Sequence, residues 1–221
     1  MSLLIIGKGW AGTYIESLAL ETFNSVLCTT RDGRNSTIEF NFTDPTDIVP
    51  FKRLPQTDYV VITFPFVSTD MARAFLNLYG QTRDIMPKMI LLGSTRPFVG
   101  NGWATSDSPL DKNSDPIRTL SEELVLKGGG SVLHLAGLWD EKRDPKGWIA
   151  RIAPTKNDLA LKSSLHLIHG TDVASAVVHS FIKFCPGKRW IVTDLRVYDW
   201  WDLVLCWGNE TQKSWVKELI Q

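Results

Sequence analysis

Short apolar runs alternate with amphipathic stretches along most of the chain. The run Leu3–Ile6 leads into a glycine-rich turn, after which apolar residues recur on one helical face. A run of this length and apolarity is typical of a strand buried on both faces of a parallel sheet. The first dozen residues therefore predict a strand, a turn and a helix, and the turn contains Gly7, Gly9 and Gly12.

The same alternation continues to the end of the chain. Further strands are predicted at Val26–Thr30, Ile38–Thr43, Asp58–Phe64, Lys88–Gly93, Ser131–Ala136 and Arg189–Thr193. Helices are predicted at 13–23, 70–79, 116–127 (capped by Asp115 or Ser114), 172–184 (capped by Thr171), 198–206 and 211–220. This order predicts an α/β fold with a Rossmann-like, doubly wound parallel sheet.

No linker or repeat divides the chain, so one NAD(P)-binding Rossmann domain over residues 1–221 is expected. Connections after the sixth strand are longer than those before it. They predict a small C-terminal substrate lobe contributed by 138–170 and 195–221.

Composition excludes several classes of protein. The 24 basic and 24 acidic side chains cancel, so nothing favours binding to nucleic acid. No apolar stretch is long enough for a membrane span, and the N-terminus does not resemble a signal peptide, so we expect a cytoplasmic protein with no membrane partner. Cys28, Cys185 and Cys206 are widely spaced in apolar settings and are predicted to be buried thiols. No spacing of His, Cys or carboxylates predicts a metal site.

The glycine turn fits the pattern G-x-G-x-x-G. In that pattern the first glycine permits the turn, the second lets a pyrophosphate approach the backbone, and the third lets helix and strand pack closely. The helix N-terminus then offers unpaired N–H groups to the phosphates. The predicted phosphate-binding residues are Gly7, Lys8, Gly9, Trp10, Ala11 and Gly12, with a solvated surface lysine as the alternative for Lys8.

The end of the second strand indicates which dinucleotide is bound. An acidic residue there would bond a ribose 2′-hydroxyl, whereas an arginine accommodates a 2′-phosphate. The chain has Thr30 and Arg31 at this point, with Arg34 close by, so NADP is preferred and NAD is possible. The alternative is that both arginines are simply solvated loop charges. Asn41, Phe64 and Pro65, in and after the next strands, complete the predicted cofactor set.

Five segments together resemble a known family. They are Gly7–Gly12, Thr29–Arg31, Ser94–Phe98, His134–Trp139 and Ile168–Ala174, and they occur in that order over nearly the whole chain. They look like the landmarks of the extended and atypical short-chain dehydrogenase/reductases, the NAD-dependent epimerase/dehydratase superfamily. The resemblance implies a Rossmann fold, a bound dinucleotide and, in Ser94, the Ser/Thr that bonds the substrate oxygen, with Thr95 beside it.

The family's catalytic Tyr-x-x-x-Lys pair has no counterpart. The helix that should carry it reads Asp115 to Glu122 without Tyr or Lys, and Phe98 stands where the family often has Tyr. The lysine that would bind the nicotinamide ribose is missing as well, unless Arg118 reaches in from the same helix. The cofactor site thus resembles that of the family, whereas the Tyr-x-x-x-Lys pair that transfers the proton in the family is absent.

Histidines offer another source of a base near neutral pH. His169 precedes Asp172 by three residues, which could be a base and the group that orients it. A role in tying the substrate lobe to the sheet is the alternative. His134, in an apolar strand, is predicted to be a core residue, and His179 a structural residue on a helix.

Three functions are consistent with these patterns. The first is an NADP-binding oxidoreductase or isomerase acting on a small or sugar-like molecule, with Ser94, Thr95 and His169 as candidate catalytic residues. The second is a non-catalytic dinucleotide-binding sensor or scaffold. The third is a structural partner without nucleotide, which the glycine turn disfavours. A homodimer is a further expectation.

Overall fold

The computed structural model describes residues 1–98 and 102–221, and a seven-stranded sheet lies at its centre. The strands of the chain are β1 (Ser2–Ile6), β2 (Ser25–Thr30), β3 (Ile38–Glu39), β4 (Tyr59–Ile62), β5 (Lys88–Ser94), β6 (Ser131–Leu135), β7 (Gly137–Trp139), β8 (Ser164–Leu165), β9 (Leu167–His169), β10 (Arg189–Val192) and β11 (Tyr198–Asp199). The large sheet has the order β10-β6-β5-β4-β1-β2-β3, and all its neighbouring strands are parallel. The strand order reverses between β1 and β4, which is where α/β sheets open a crevice for ligands.

Helices connect these strands. They are α1 (Trp10–Ala19), α2 (Val49–Lys52), α3 (Thr69–Gln81), α4 (Pro116–Lys127), α5 (Ile149–Ile152), α6 (Lys156–Ala160), α7 (Gly170–Ile182), α8 (Trp200–Trp207) and α9 (Glu210–Ile220), with a 3₁₀ turn at Pro145–Trp148. In the described ranges no helix combines the length and apolarity needed to cross a membrane.

Both faces of the large sheet are covered, because successive side chains of a strand point to opposite sides. On one face, Leu4 and Ile6 join a core that includes residues of α2, α3 and α4. On the other face, Ile5 lies against α1. On strand β4, the ring of Tyr59 meets Phe23, after α1, and Phe181 of α7 with centroids 5.5 and 5.0 Å away. The predicted Rossmann-like, doubly wound parallel sheet is therefore confirmed.

The chain forms two compact units. The first comprises Met1–Leu135 and Thr171–Val192, and the second comprises Ala136–Gly170 and Thr193–Gln221. The second unit contains both segments that the sequence predicts for a substrate lobe, and that role stays a prediction.

The second unit is built around tryptophans. Trp200 is buried with residues of α5, α6 and α9, and Trp148, Trp201 and Trp215 pack against this cluster. The Trp201 indole N–H donates to the Leu159 carbonyl at 3.0 Å. Strands β8 and β11 pair antiparallel, and β7 and β9 pair parallel. These tryptophans therefore fill the core of the second unit.

Several predicted boundaries are wrong by a few residues. Helix α1 begins at Trp10, directly after the glycine turn, because Gly9 is its N-cap. Strand β3 has only two residues instead of six. Helix α7 begins at Gly170, so Thr171 lies in its first turn and is not its cap. His169 ends strand β9, a segment for which no strand is predicted. The helix predicted from Tyr198 begins at Trp200, since Tyr198 and Asp199 form β11.

The cysteine prediction holds for one residue of three. Cys28 is buried, whereas Cys185 and Cys206 are exposed. Cys185 lies in the exposed connection between α7 and β10, and Cys206 lies on the outer side of α8. Apolar neighbours in sequence therefore did not imply burial in these two places.

Candidate functional site

The glycine turn has the geometry that its pattern predicts. Gly7 has φ +98°, a conformation that side chains disfavour. A Cβ on Gly7 would lie 2.8 Å from the Thr63 hydroxyl and 2.9 Å from the Phe64 ring. The Thr63 hydroxyl also donates a short hydrogen bond to the Gly7 carbonyl. The end of β4 therefore closes over the turn, and only glycine fits at its first position.

The other two glycines play different parts. A Cβ on Gly12 would lie 2.9 Å from the Gly7 carbonyl and 3.3 Å from the Ile5 side chain, so this glycine lets α1 pack on β1. Among residues 1–98 and 102–221, a Cβ on Gly9 would meet nothing within 4 Å. The surface at Gly9 is thus bare backbone facing open space. A pyrophosphate needs such a surface if it is to contact the chain closely.

Helix α1 presents its N-terminus at the same place. Its N-cap, Gly9, has no side chain, and the first turn carries no acidic residue. The first N–H groups of a helix have no acceptor within it and carry the positive end of its dipole. Trp10 and Ala11 open the helix, and the Trp10 ring packs edge-on against Tyr14, with centroids 5.2 Å apart. This arrangement favours an anion and would admit a phosphate.

Lys8 is held by a partner within the protein. Its ammonium lies 2.6 Å from Glu16 of α1, and both side chains are about three-quarters buried. This bond raises the pKa of Lys8. The Cys28 thiol also donates to Glu16, and burial raises the pKa of that thiol to about 12. Lys8 is therefore not a solvated surface lysine, and its N–H donates to the Thr29 carbonyl at 2.7 Å.

The loop after β2 carries the predicted selectivity residues. Arg31 and Arg34 are both exposed, and Arg34 lies 3.7 Å from the Asp32 carboxylate. The Thr30 hydroxyl, which is buried, donates to Asp32 at 3.1 Å. The Asp32 carboxylate thus already has partners on both neighbouring sides, whereas Arg31 directly follows the end of β2.

The remaining predicted cofactor residues lie just beyond the ends of β4 and β3, which β1 and β2 separate in the sheet. Phe64 is half-buried over the glycine turn, and its ring meets Phe66 with centroids 5.8 Å apart. Pro65 is exposed. Asn41 is exposed as well and lies two residues beyond the end of β3.

Ser94 and Thr95 end strand β5 at the same edge of the sheet. The Ser94 hydroxyl accepts a hydrogen bond from the Arg96 N–H at 3.2 Å, which leaves its own proton available for donation. The Thr95 N–H donates to the Leu135 carbonyl at 3.1 Å. The Ser94 carbonyl lies 2.9 Å from Nδ1 of His134. The strand end is therefore held by β6.

Behind this strand end lies a buried carboxyl that the sequence did not reveal as a site residue. Glu122 of α4 is 1% exposed, and its carboxylate lies 3.6 Å from Nδ1 of His134, which is fully buried. A Cβ on Gly93 would overlap the Glu122 carboxylate, so glycine at this position makes room for it. The available signal was the helical period, because Glu122 shares a face with Val125, a core residue.

Burial shifts the pKa of both groups toward their neutral forms. It raises the pKa of Glu122 to about 7, against the opposing effect of Arg118, and it lowers the pKa of His134 to about 4. His134 is thus a buried core histidine, as predicted, with a ring that also meets Phe98 edge-on at 4.9 Å between centroids.

Helix α4 carries Arg118, the residue that could take the place of the missing lysine. Asp115 is its N-cap, and the Arg118 guanidinium Nε donates to Asp115 at 3.1 Å. Arg118 therefore pairs with the cap of its own helix.

Two other histidines contact residues of their own compact unit. His169 lies in the second unit, paired in register with Trp139, and the two rings meet with centroids 4.9 Å apart. His179 Nδ1 lies 2.8 Å from the Ser175 carbonyl one turn earlier in α7. In residues 1–98 and 102–221, no three His, Cys, Asp or Glu side chains are grouped so as to hold a metal ion.

Comparison with known proteins gives matches in structure only. No family profile matches the sequence, and no curated protein matches it either. Among solved structures, a Methylobacillus flagellatus protein assigned by name to the NAD-dependent epimerases/dehydratases has TM-score 0.70 at 16% identity, over 95% of this chain and 81% of its own. The UDP-N-acetylglucosamine 4-epimerase of Bacillus cereus has TM-score 0.70 at 13% identity, with the same two coverages.

A third match is a structure with a bound dinucleotide. It is dTDP-glucose 4,6-dehydratase from Bacillus anthracis in complex with NAD, with TM-score 0.68 at 12% identity, over 96% of this chain and 83% of its own. Structural similarity at such low sequence identity shows a shared fold and nothing more. The chain therefore has the fold of the NAD-dependent epimerases and dehydratases.

Proposed function

We propose that the chain binds an NAD(P) dinucleotide at the glycine turn and acts as an oxidoreductase or isomerase on a small or sugar-like molecule. The observation that carries this proposal is that the three glycines differ in what lies beside them. Gly7 and Gly12 are glycines because the protein itself fills the space beside them, whereas the space beside Gly9 is open. A glycine that packing does not require fits a ligand that contacts the backbone there.

The neighbouring groups support a dinucleotide over a simple phosphate. The pyrophosphate would lie against Gly9 and the first N–H groups of α1. The adenosine half would reach the end of β2, where Arg31 would bond a 2′-phosphate. Arg34 would contribute less, because Asp32 already pairs with it. The position of Arg31 directly after β2 supports NADP as the preferred cofactor, with NAD as the second choice.

The nicotinamide half would lie toward the ends of β4 and β5. Phe64 and Pro65 would flank it, and Ser94 would donate its hydroxyl proton to the carboxamide or to a substrate oxygen, with Thr95 beside it. The bound dinucleotide would supply or accept a hydride. The chain's own part in this scheme is to bind and orient, since the segment from Asp115 to Glu122 contains no Tyr or Lys for proton transfer.

A non-catalytic sensor is the second candidate, and a specific observation favours it. Arg118, the residue of α4 that could replace the missing lysine, is engaged by Asp115. A protein with this helix could hold a dinucleotide without turning it over.

The test of binding uses a pair of matched glycine variants. NADPH and NADH are titrated against the quenching of tryptophan fluorescence in the wild type, Gly9→Ala and Gly147→Ala. Both glycines have open space where a Cβ would stand, so both variants should fold. Gly9→Ala should weaken binding roughly tenfold, by losing a close phosphate contact worth about 1.4 kcal/mol, whereas Gly147→Ala should bind as the wild type does. Equal affinities in all three proteins would contradict the site.

Cofactor selectivity is tested by a pair of arginine variants. Arg31→Ala should weaken NADPH roughly tenfold more than NADH, because only NADPH has the 2′-phosphate. Arg53→Ala removes an exposed arginine that is paired with Glu39 and should change neither affinity. A wild-type preference for NADH would overturn the role of Arg31. A screen for hydride transfer to carbonyl substrates then separates the two candidates, since binding without turnover identifies a sensor.

A further inference from the structure

Two buried side chains behind Ser94 lack the hydrogen bonds that buried polar groups normally make. Within the described residues, neither carboxyl oxygen of Glu122 has a hydrogen bond of ordinary distance and angle, although the Ser94 N–H acts on the carboxylate and favours its ionised form, and Nε2 of His134 has no partner. Both residues belong to the first unit and are at least 99% buried. An unsatisfied buried carboxyl is costly, so its presence at the edge of a ligand crevice calls for a physical explanation.

The charged groups around the pair do not neutralise it. Arg118 lies one turn earlier in α4 and is bonded to Asp115. Arg189 of β10 also acts on both groups, and it opposes the burial-induced shift at Glu122 while reinforcing the shift at His134. Neither arginine makes an ion pair with Glu122 among the described residues. The nearest titratable neighbour of Glu122 is therefore His134, at 3.6 Å.

The hydrogen on His134 can be assigned from its partner. Nδ1 lies 2.9 Å from the Ser94 carbonyl, and a carbonyl only accepts, so Nδ1 carries the hydrogen. The Glu122 carboxyl lies beside the same Nδ1. When protonated, Glu122 leaves this hydrogen to the Ser94 carbonyl. When ionised, it competes for the hydrogen, because a carboxylate is a stronger acceptor than a carbonyl.

We infer that Glu122 and His134 are positioning residues that hold the Ser94 end of β5 in place for its ligand, and that their hold on the Ser94 carbonyl loosens when Glu122 loses its proton. The inference rests on the proposed function, in which Ser94 bonds the nicotinamide half or the substrate. Neither residue touches the ligand in this arrangement. They act through the Ser94 carbonyl, and the ionisation of Glu122, with its pKa near 7, makes the effect depend on pH in the neutral range.

The test compares two ligands that differ only in the nicotinamide half. Dissociation constants of NADP⁺ and of its nicotinamide-free fragment, 2′-phospho-ADP-ribose, are measured between pH 6 and pH 8.5. Both ligands carry the 2′-phosphate, so its titration cancels in their ratio. In the wild type, the advantage of NADP⁺ over the fragment should fall roughly fivefold as pH rises, the equivalent of one hydrogen bond. In Glu122→Gln the ratio should not change with pH.

Glu123→Gln is the matched control, because it makes the same substitution one residue further along α4, where Glu123 pairs with Lys112. It should reproduce the wild-type pH profile. A wild-type ratio that is independent of pH, or a profile that Glu122→Gln leaves unchanged, overturns the inference.

A spectroscopic measurement keeps the pair testable even if neither ligand binds. The ¹⁵N resonances of the His134 ring should show a neutral, Nδ1-protonated imidazole from pH 5.5 to pH 8, with a shift centred near pH 7 that Glu122→Gln abolishes. A ring that protonates near its ordinary pKa of about 6.5 overturns the pair itself. Failure of both ligands to bind, together with the expected ¹⁵N shift, would instead mean that the proposed function is wrong.

Discussion

The ends of β1 and β5 lie at the same edge of one sheet, but they are built in opposite ways. At the end of β1, the Gly7–Gly12 turn is made of backbone, and its requirements are steric. At the end of β5, the Ser94 carbonyl meets the His134 ring of β6, which in turn lies beside the Glu122 carboxyl of α4. The comparison teaches that a site made of backbone is visible in a sequence pattern, whereas a site made of distant side chains is not.

The largest effect is expected where packing alone requires a glycine. Gly12→Val would drive its side chain into the Gly7 carbonyl and Ile5, so the free energy of unfolding should fall by about 3 kcal/mol. Urea denaturation measures this loss. Gly9→Ala, in the same turn, is the control and should stay within about 0.5 kcal/mol of the wild type. Similar losses in both variants would contradict the division between packing glycines and a ligand-facing glycine.

A slightly smaller effect, dependent on pH, is expected at the end of β5. The folded-state pKa of Glu122, about 7, lies above that of an unfolded glutamate, so folded protein holds an extra proton between about pH 4.5 and pH 7. Wild-type stability from this group is therefore lost as pH rises through that window. Urea denaturation should show that the free energy of unfolding of Glu122→Gln rises relative to that of the wild type, by up to about 3 kcal/mol between pH 4.5 and pH 8.

His134 has the opposite sign and provides an internal check. Its folded-state pKa, about 4, lies below the unfolded value, so the unfolded state holds more protons between pH 4 and pH 6.5. Stability from His134 therefore rises with pH over that range and largely cancels the Glu122 contribution in the wild type. Glu122→Gln should expose this rise. If stability of the variant is flat from pH 4 to pH 6.5, His134 is not buried in neutral form.

The smallest effect is expected at Lys8. Lys8→Met removes the ion pair with Glu16, which is partly exposed and therefore screened by solvent, so stability should fall by only about 0.5 kcal/mol. Thermal unfolding at low and high salt measures the loss and its screening. Lys213→Met, which breaks an exposed pair with Glu210, is the control and should cost less. If Lys8→Met instead weakens NADPH strongly without affecting stability, the ammonium serves the phosphates and not Glu16.

Most of the fold could be predicted from the sequence, because hydrophobic periodicity is a local property. Every strand of the large sheet was expected, including β10, although β3 is much shorter than its alternating pattern indicated. That pattern failed because alternation at Ile38–Thr43 does not show whether a partner strand runs alongside all of it. Strands β7, β8, β9 and β11 escape prediction from the sequence, since they are two or three residues long and too short to show a period.

By itself, the sequence determined the parallel sheet, the glycine turn after β1 and the lack of a Tyr-x-x-x-Lys pair, because each depends on residues that are close together in the chain. Only the tertiary structure decided that Lys8 pairs with Glu16, that Cys185 and Cys206 are exposed, and that Glu122 and His134 meet behind Ser94. The physical reason is that burial and the protonation of a side chain depend on what packs around it. That environment is assembled from segments far apart in sequence, such as α4, β5 and β6.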